Sequence, residues 1–263
     1  MRIGIVGGGA MGEALVSAIV RERVAQPGDV TVSDIADARR QHLASTYKVA
    51  VTAENAEAVE RAELVVLAVK PQEFSTVAKG LRGRLDGSTV LSIMAGVPIE
   101  RIASELGCRA VVRVMPNTGA FVGEAMSVWT ASDGVSQEGR EAAAEVLRAL
   151  GREVRVDDKK YLDMATAVSG SGPGFVFLFL EALIDAGVHI GMPADMATEL
   201  AVQTLFGSAA LARESGKHPA ELRNMVTSKG GTTAAGLQVL EERGLRAAVI
   251  DAVEAAYERA KEL

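Results

Sequence analysis

Short runs of Val, Ile and Leu alternate with longer Ala-, Glu- and Arg-rich stretches up to about residue 156, and in those stretches the apolar positions recur at helical spacing. The runs predict strands at 3–6, 30–33, 64–69, 89–93 and 110–114, then at 125–129 and 153–156, with a helix at 137–150. Most are uninterrupted apolar runs, the pattern of strands buried on both faces. This predicts an α/β domain: a Rossmann-type parallel sheet wound with helices over residues 1–157.

Beyond residue 157 the strand pattern stops. Helices are expected at 161–168, 173–190, 195–214, 219–226 and from 233 to the end, giving an all-α second domain over 158–263. Two glycine-containing loops are expected between them, at 169–173 and 228–233. The apolar stretch at 175–180 is interrupted by Glu181 and Asp185, so it reads as a buried helix and not as a membrane span. Its apolar character on nearly every side also predicts a partner subunit to cover it.

Composition adds limits. The chain has 263 residues, 48% of them hydrophobic, enough to build a sizeable core. Only 4% are aromatic, while there are 27 glycines against 7 prolines, which predicts many tight backbone turns. The single cysteine, Cys108, excludes an intrachain disulfide, and no Cys/His pairing has zinc spacing. A formal charge of −6 argues against nucleic acid as a partner. Met1-Arg2 runs straight into a strand with no leader-like segment, so the expected location is the cytoplasm.

The first chemistry-bearing motif is Gly7-Gly8-Gly9-Ala10-Met11-Gly12, a G-x-G-x-x-G between a strand and a helix. Gly7 permits the tight turn, Gly9 lets backbone approach a pyrophosphate, and Gly12 lets helix and strand pack, with helix-start amides facing the anion. Asp34, at the end of the second strand, stands where a carboxylate accepts hydrogen bonds from the adenosine ribose and repels a 2′-phosphate. Ser33, Arg39 and Arg40 beside it allow the opposite preference if Asp34 turns away, or the arginines form a solvated helix face. Two further strand exits, at Ala68-Val69-Lys70-Pro71 and at Met115-Pro116-Asn117, lie where open α/β sheets bind ligands, or are exits shaped only by proline. The histidines His42, His189 and His218 are scattered and read as surface or packing residues. Ser228 to Thr233 combines hydroxyls with two glycines before a helix, a nest for a carboxylate or a simple capping turn.

Taken in order, these blocks resemble the pyrroline-5-carboxylate reductase family along essentially the whole chain. Ala95-Gly96-Val97, Ser169-Gly170-Ser171-Gly172-Pro173, His218-Pro219, Gly230-Gly231-Thr232-Thr233, Val239-Leu240-Glu241 and Gly244-Leu245-Arg246 carry the likeness with the motifs above. The resemblance implies hydride transfer from NADPH or NADH to the C=N bond of 1-pyrroline-5-carboxylate, giving L-proline, with NADPH favoured by the family and Asp34 leaving NADH open. It implies pyrophosphate contacts from Val6, Gly7, Gly8, Gly9, Ala10 and Met11, and adenosine-ribose contact from Asn55. Ala68, Val69, Lys70, Pro71, Ile93, Met94 and Ala95 would hold the nicotinamide half. Ser228, Gly231, Thr232 and Thr233 would take the substrate carboxylate, with the Thr233 hydroxyl near the ring nitrogen. It further implies a homodimer through the helical domain and larger rings of dimers, such as a decamer.

The chain departs from the family pattern at Lys229, which replaces a proline of the substrate loop, at Lys159, where glutamate is common, and at Asp34, where a small polar residue is frequent. Two other readings stand beside this one: a β-hydroxyacid dehydrogenase, which would resemble a pattern with a lysine that 169–179 lacks, and a non-catalytic dinucleotide sensor, which would need no substrate nest.

Overall fold

The computed structural model describes residues 1–262. It falls into two compact units, Met1–Ser171 together with the C-terminal end from Ala256, and Gly172–Ala255.

In the first unit, β1 (Ile3–Val6), α1 (Ala10–Arg21), β2 (Val30–Ser33), α2 (Asp37–Tyr47), β3 (Ala50–Thr52), α3 (Asn55–Val59), β4 (Leu64–Leu67), α4 (Phe74–Leu81), β5 (Thr89–Ser92), α5 (Ile99–Leu106) and β6 (Val111–Met115) alternate. They are followed by β7 (Ala125–Ala131), α6 (Gln137–Leu150), β8 (Gly151–Arg155) and α7 (Lys160–Ala165). The eight strands form one sheet in the order β3-β2-β1-β4-β5-β6-β7-β8. Pairing is parallel except between β6 and β7, where the chain turns back without a crossover helix. Chain direction therefore diverges at β1 and β4, the switch point at which doubly wound sheets open a crevice.

Because β1, β4 and β5 are buried at every position, each needs apolar cover on both faces. Ile5, Leu15, Ile19, Leu43, Trp129 and Leu147 fill one side, against α1, α2 and α6. Val65, Leu67, Phe74, Leu81, Ile102 and Leu106 fill the other, against α4 and α5. The sheet is thus a closed core in itself.

The second unit holds α8 (Gly172–His189), α9 (Ala194–Ser215), α10 (Pro219–Met225), α11 (Thr232–Glu242) and most of α12 (Leu245–Lys261). A side chain at Gly187 of α8 would come 3.0 Å from the Cβ of Ala197, so the glycine permits the close α8–α9 approach. Phe175, Leu178 and Phe179 of α8 and Leu245 and Val249 of α12 line an apolar groove of about 300 Å³.

Four sequence expectations are corrected. The stretch at 175–180 is not buried within the chain, since Phe177 is 61% and Leu178 67% exposed. Intrachain helices are too few to surround it. The acidic residues also do not shorten it as expected, for the helical run Lys160–His189 is long and apolar enough to cross a membrane by length and composition. The segment at 169–173 is no loop: a π-turn at Thr166–Gly170 takes up one extra residue, with Ser171 N–H donating to the Thr166 carbonyl at 2.8 Å, and the helix continues into α8. Finally, the helix expected from 233 to the end breaks at Gly244, whose φ of 75° ends α11 before α12 starts.

Candidate nucleotide and substrate sites

The C-terminal ends of β1, β2, β4 and β5 bring together most of the residues expected to hold a dinucleotide. Gly7 turns with φ 104°, and its N–H donates to the Ser33 carbonyl at 2.9 Å, tying the turn to β2. A Cβ at Gly7 would lie 2.7 Å from the Ala68 carbonyl oxygen, and one at Gly12 would run into the Gly7 carbonyl. Both glycines are therefore required by packing. Gly9 differs: a Cβ there would meet nothing within 4 Å among the described residues. It is also the N-cap of α1 and brings no side chain, so the first-turn amides of Ala10 and Met11 are left for an anion. An open space in front of uncapped amides fits a pyrophosphate.

Asp34 is fixed from both oxygens. Its Oδ2 accepts from Gly8 N–H and its Oδ1 from Ala36 N–H, each at 2.8 Å. Behind the loop, Arg39 donates from Nε and Nη2 to the Gly8 carbonyl at 2.9 and 2.7 Å and from Nη2 to Glu13 at 2.6 Å. Glu13 also meets His42 Nε2 at 2.7 Å and accepts from the Tyr47 hydroxyl at 3.1 Å. Partial burial opposes ionisation of Glu13, but the bonds from Arg39, His42 and Tyr47 outweigh it and hold the carboxyl below the ordinary range. The sequence reading missed this brace, whose i, i+3 residues Arg39 and His42 share a face of α2.

Asn55, at the start of α3, opens on a cleft of about 450 Å³ with Ile35, Gln72 and Thr76. Ile35 is 90% exposed there. These three were also missed, although each follows closely on β2 or β4, at the strand ends the switch-point rule singles out. Ala68 N–H donates to the Val6 carbonyl at 2.8 Å, and Pro71 starts a short 3₁₀ turn after Val69 and Lys70. Ile93 N–H donates to the Leu67 carbonyl at 3.2 Å, so Ile93 and Ala95 leave β5 beside this exit.

Other expected residues have side chains engaged by the chain itself. The Ser33 side chain is buried and donates to the Ile5 carbonyl at 3.5 Å, while Met94 is 2% exposed and sits in the core. Asn117 is a structural knot: its Oδ1 accepts from Gly119 and Met126 N–H at 3.2 and 3.1 Å, and its Nδ2 donates to the Ser169 carbonyl at 3.1 Å. Met115 packs against Gly170. Lys159 forms an ion pair with Glu100.

In the second unit, Gly231 is the N-cap of α11 and Gly230 precedes it with φ 69°. Gly231 N–H donates to the Ser228 carbonyl at 3.0 Å, and a Cβ at 231 would strike Ser228 Oγ. The turn therefore sets Ser228 Oγ against the helix start that carries Thr232 and Thr233. Ser228, Lys229 and Thr232 are exposed, and Thr233 is half-buried. His218 is a helix cap here, its Nδ1 accepting from Ala220 N–H at 3.2 Å.

Two family models match the chain. Residues 159–263 match the family model described as pyrroline-5-carboxylate reductase dimerisation, and residues 2–96 match that described as NADP oxidoreductase, coenzyme F420-dependent. The chain is 42% identical to the pyrroline-5-carboxylate reductase of a Synechocystis species, covering all of this chain and 98% of that protein. It is 40% identical to that of Methanosarcina acetivorans, covering all of this chain and 97% of the other. Among solved structures, the Coxiella burnetii pyrroline-5-carboxylate reductase superposes with a TM-score of 0.93 at 32% identity, over 99% of this chain and 97% of that one. The Plasmodium falciparum pyrroline carboxylate reductase, solved with NADP bound, gives 0.89 at 29% identity, over 100% and 97%. Full-length identity of this order, matched by the fold, makes the chain a member of the pyrroline-5-carboxylate reductase family.

Proposed function

We propose that this chain is an NAD(P)H-dependent oxidoreductase that reduces 1-pyrroline-5-carboxylate to L-proline, the last step of proline biosynthesis. The observation that carries the reading is the pairing, in one chain of this family, of a glycine loop open at Gly9 with a hydroxyl-flanked glycine start at α11. A dinucleotide sensor would need only the first.

The roles follow from chemistry. Val6 to Gly12 hold the pyrophosphate on backbone amides, and Asp34 and Asn55 hold the adenosine ribose, with Ser33 supplying only backbone there. Ala68 to Pro71 with Ile93 and Ala95 position the nicotinamide, Met94 anchoring that segment from the core, while Met115 and Asn117 frame the adjoining turn. The dinucleotide, when bound, supplies the hydride that enters the C=N carbon. Amides at Gly231, Thr232 and Thr233, with Ser228 Oγ, take the substrate carboxylate at the positive end of α11. The Thr233 hydroxyl orients the ring nitrogen, which gains a proton as the carbon gains hydride. Placement and a polar partner at nitrogen are then the protein's main contributions.

Residues 1–157 serve as the nucleotide domain and residues 158–263 as the helical dimerisation and substrate domain. The exposed apolar side chains of α8 suit a homodimer through that domain, with dimers assembling further into rings such as a decamer, in the cytoplasm. The test is to follow NADPH and NADH oxidation with pyrroline-5-carboxylate and, separately, with a β-keto acid semialdehyde. Turnover of the imine is expected; if neither nucleotide supports it, the reading fails.

A further inference from the structure

The relative solved with its nucleotide carries NADP, yet the end of β2 in this chain is built against a 2′-phosphate. Asp34 cannot swing aside cheaply, because both carboxylate oxygens are engaged by backbone amides, Gly8 and Ala36, at 2.8 Å. Rotation would leave both donors without their partner. A carboxylate held here accepts hydrogen bonds from free ribose hydroxyls and repels a phosphate dianion.

The two arginines that could offset it are already committed. Arg39 binds the Gly8 carbonyl twice and is paired with Glu13 at 2.6 Å. Arg40 donates from Nη1 to the carbonyls of Asp34 and Ile35 at 2.8 and 3.0 Å, and from Nη2 to Asp37 at 3.0 Å. Both guanidinium groups therefore brace backbone and are neutralised by carboxylates. The neighbouring cleft adds acidic groups of its own, Glu54 and Glu73, and its lining includes neither Lys nor Arg among the described residues.

We infer that this chain selects the dinucleotide lacking a 2′-phosphate, with Asp34 as the residue that discriminates and Arg39 and Arg40 as braces of the glycine loop. The inference rests on the nucleotide site proposed above. It goes beyond that proposal by choosing NADH.

The experiment measures kcat/KM for NADH and NADPH with pyrroline-5-carboxylate, and the dissociation constant of each nucleotide alone by fluorescence titration. The wild-type chain should favour NADH at least tenfold on both measures. Asp34→Ser should raise NADPH efficiency about tenfold and lower that of NADH. Asp34→Asn keeps an oxygen for Gly8 N–H while removing the charge, so it should move the ratio the same way and guards against loss of the loop. Arg39→Ala should weaken both nucleotides together and leave their ratio within about twofold. Equal or better use of NADPH by the wild type, or a ratio unmoved in both Asp34 variants, overturns the inference while leaving the reductase reading intact. If the imine is not reduced at all but NADH still binds tenfold tighter, the reductase reading fails and the selectivity stands.

Discussion

Gly9→Ser separates the fold's needs from the ligand's at a single position. Gly9 has φ −65° and ψ −171°, an ordinary extended conformation for an N-cap, and a Cβ there meets nothing within 4 Å among the described residues. Serine is also a preferred N-cap, worth a few tenths of a kcal/mol over glycine. The free protein should therefore melt within about 2 °C of wild type, or slightly higher, given roughly 2–4 °C per kcal/mol for a chain of this size. Nucleotide binding should behave in the opposite way. The new side chain occupies the space in front of the α1 amides and its hydroxyl caps them, competing with the pyrophosphate. Overpacking of this kind costs about 1–3 kcal/mol, which is about a 5- to 150-fold rise in Kd. Thermal unfolding without ligand, paired with NADH fluorescence titration, reads both quantities. Gly12→Ser is the control, since its Cβ runs into the Gly7 carbonyl and must destabilise the fold itself. Unchanged nucleotide affinity in Gly9→Ser, or a melting loss equal to that of Gly12→Ser, would refute the reasoning.

Three further outcomes are expected. Thr233→Ala should slow turnover by roughly tenfold or more while leaving nucleotide Kd within about twofold, in line with the 10²–10³ cost of losing a polar partner at a fully charged centre; an unchanged kcat would discard its role at the ring nitrogen. Asn117→Ala removes three hydrogen bonds that join the β6 exit, β7 and the π-turn; at about 0.5–1.5 kcal/mol each it should cost about 2–4 kcal/mol in urea unfolding, and a loss below 1 kcal/mol would count against the knot. Glu13 ionises below its ordinary value of 4.5 in the folded chain, so its stabilisation is complete above that value and is lost as pH falls through the lower folded one; Glu13→Gln should flatten that part of the acid limb in a stability–pH series, and an identical limb would show that the Arg39, His42 and Tyr47 bonds contribute nothing.

Legibility in the sequence followed how much of each element's pattern was local. The helix at Gln137–Leu150 was readable because Ser136 caps it, accepting from Gly139 N–H at 3.1 Å, and its apolar face is regular. The three-residue, partly exposed β3 was missed, as it is too short and too polar at its edges to show a period. The π-turn at Thr166–Gly170 escaped for another reason: Ser and Gly at 169–172 are loop-forming by propensity, and bonds such as Ser171 N–H to the Thr166 carbonyl and Asn117 Nδ2 to the Ser169 carbonyl hold them in the helical run. At the candidate nucleotide site the glycines were legible because their constraint is one of backbone and neighbour. Arg39 was not, since its partners Gly8 and Glu13 are brought to it by the pairing of β1 with β2. Asn117 shows the converse, a polar residue at a strand exit whose three internal bonds to Gly119, Met126 and Ser169 no local pattern announces.

The two units also differ in what they need in order to exist. The sheet unit closes its core on both faces with its own helices, as the full burial of Ile5, Leu67, Phe74 and Leu147 shows. The helical unit leaves Phe177, Leu178 and Phe206 more than 60% exposed and buries only small side chains such as Ala197 and Ala201. Such a helix set gains too little from its own packing to offset the entropy of ordering it. The exposed face carries a run apolar enough for a bilayer, yet it lies within residues matched by a dimerisation family, which assigns its cover to oligomerisation. The start of α11, with Ser228 and Thr233, belongs to this unit. Order at this helix start is therefore tied to association, whereas order at the glycine loop is intrinsic to one chain. Dilution should accordingly weaken imine reduction before it weakens nucleotide binding.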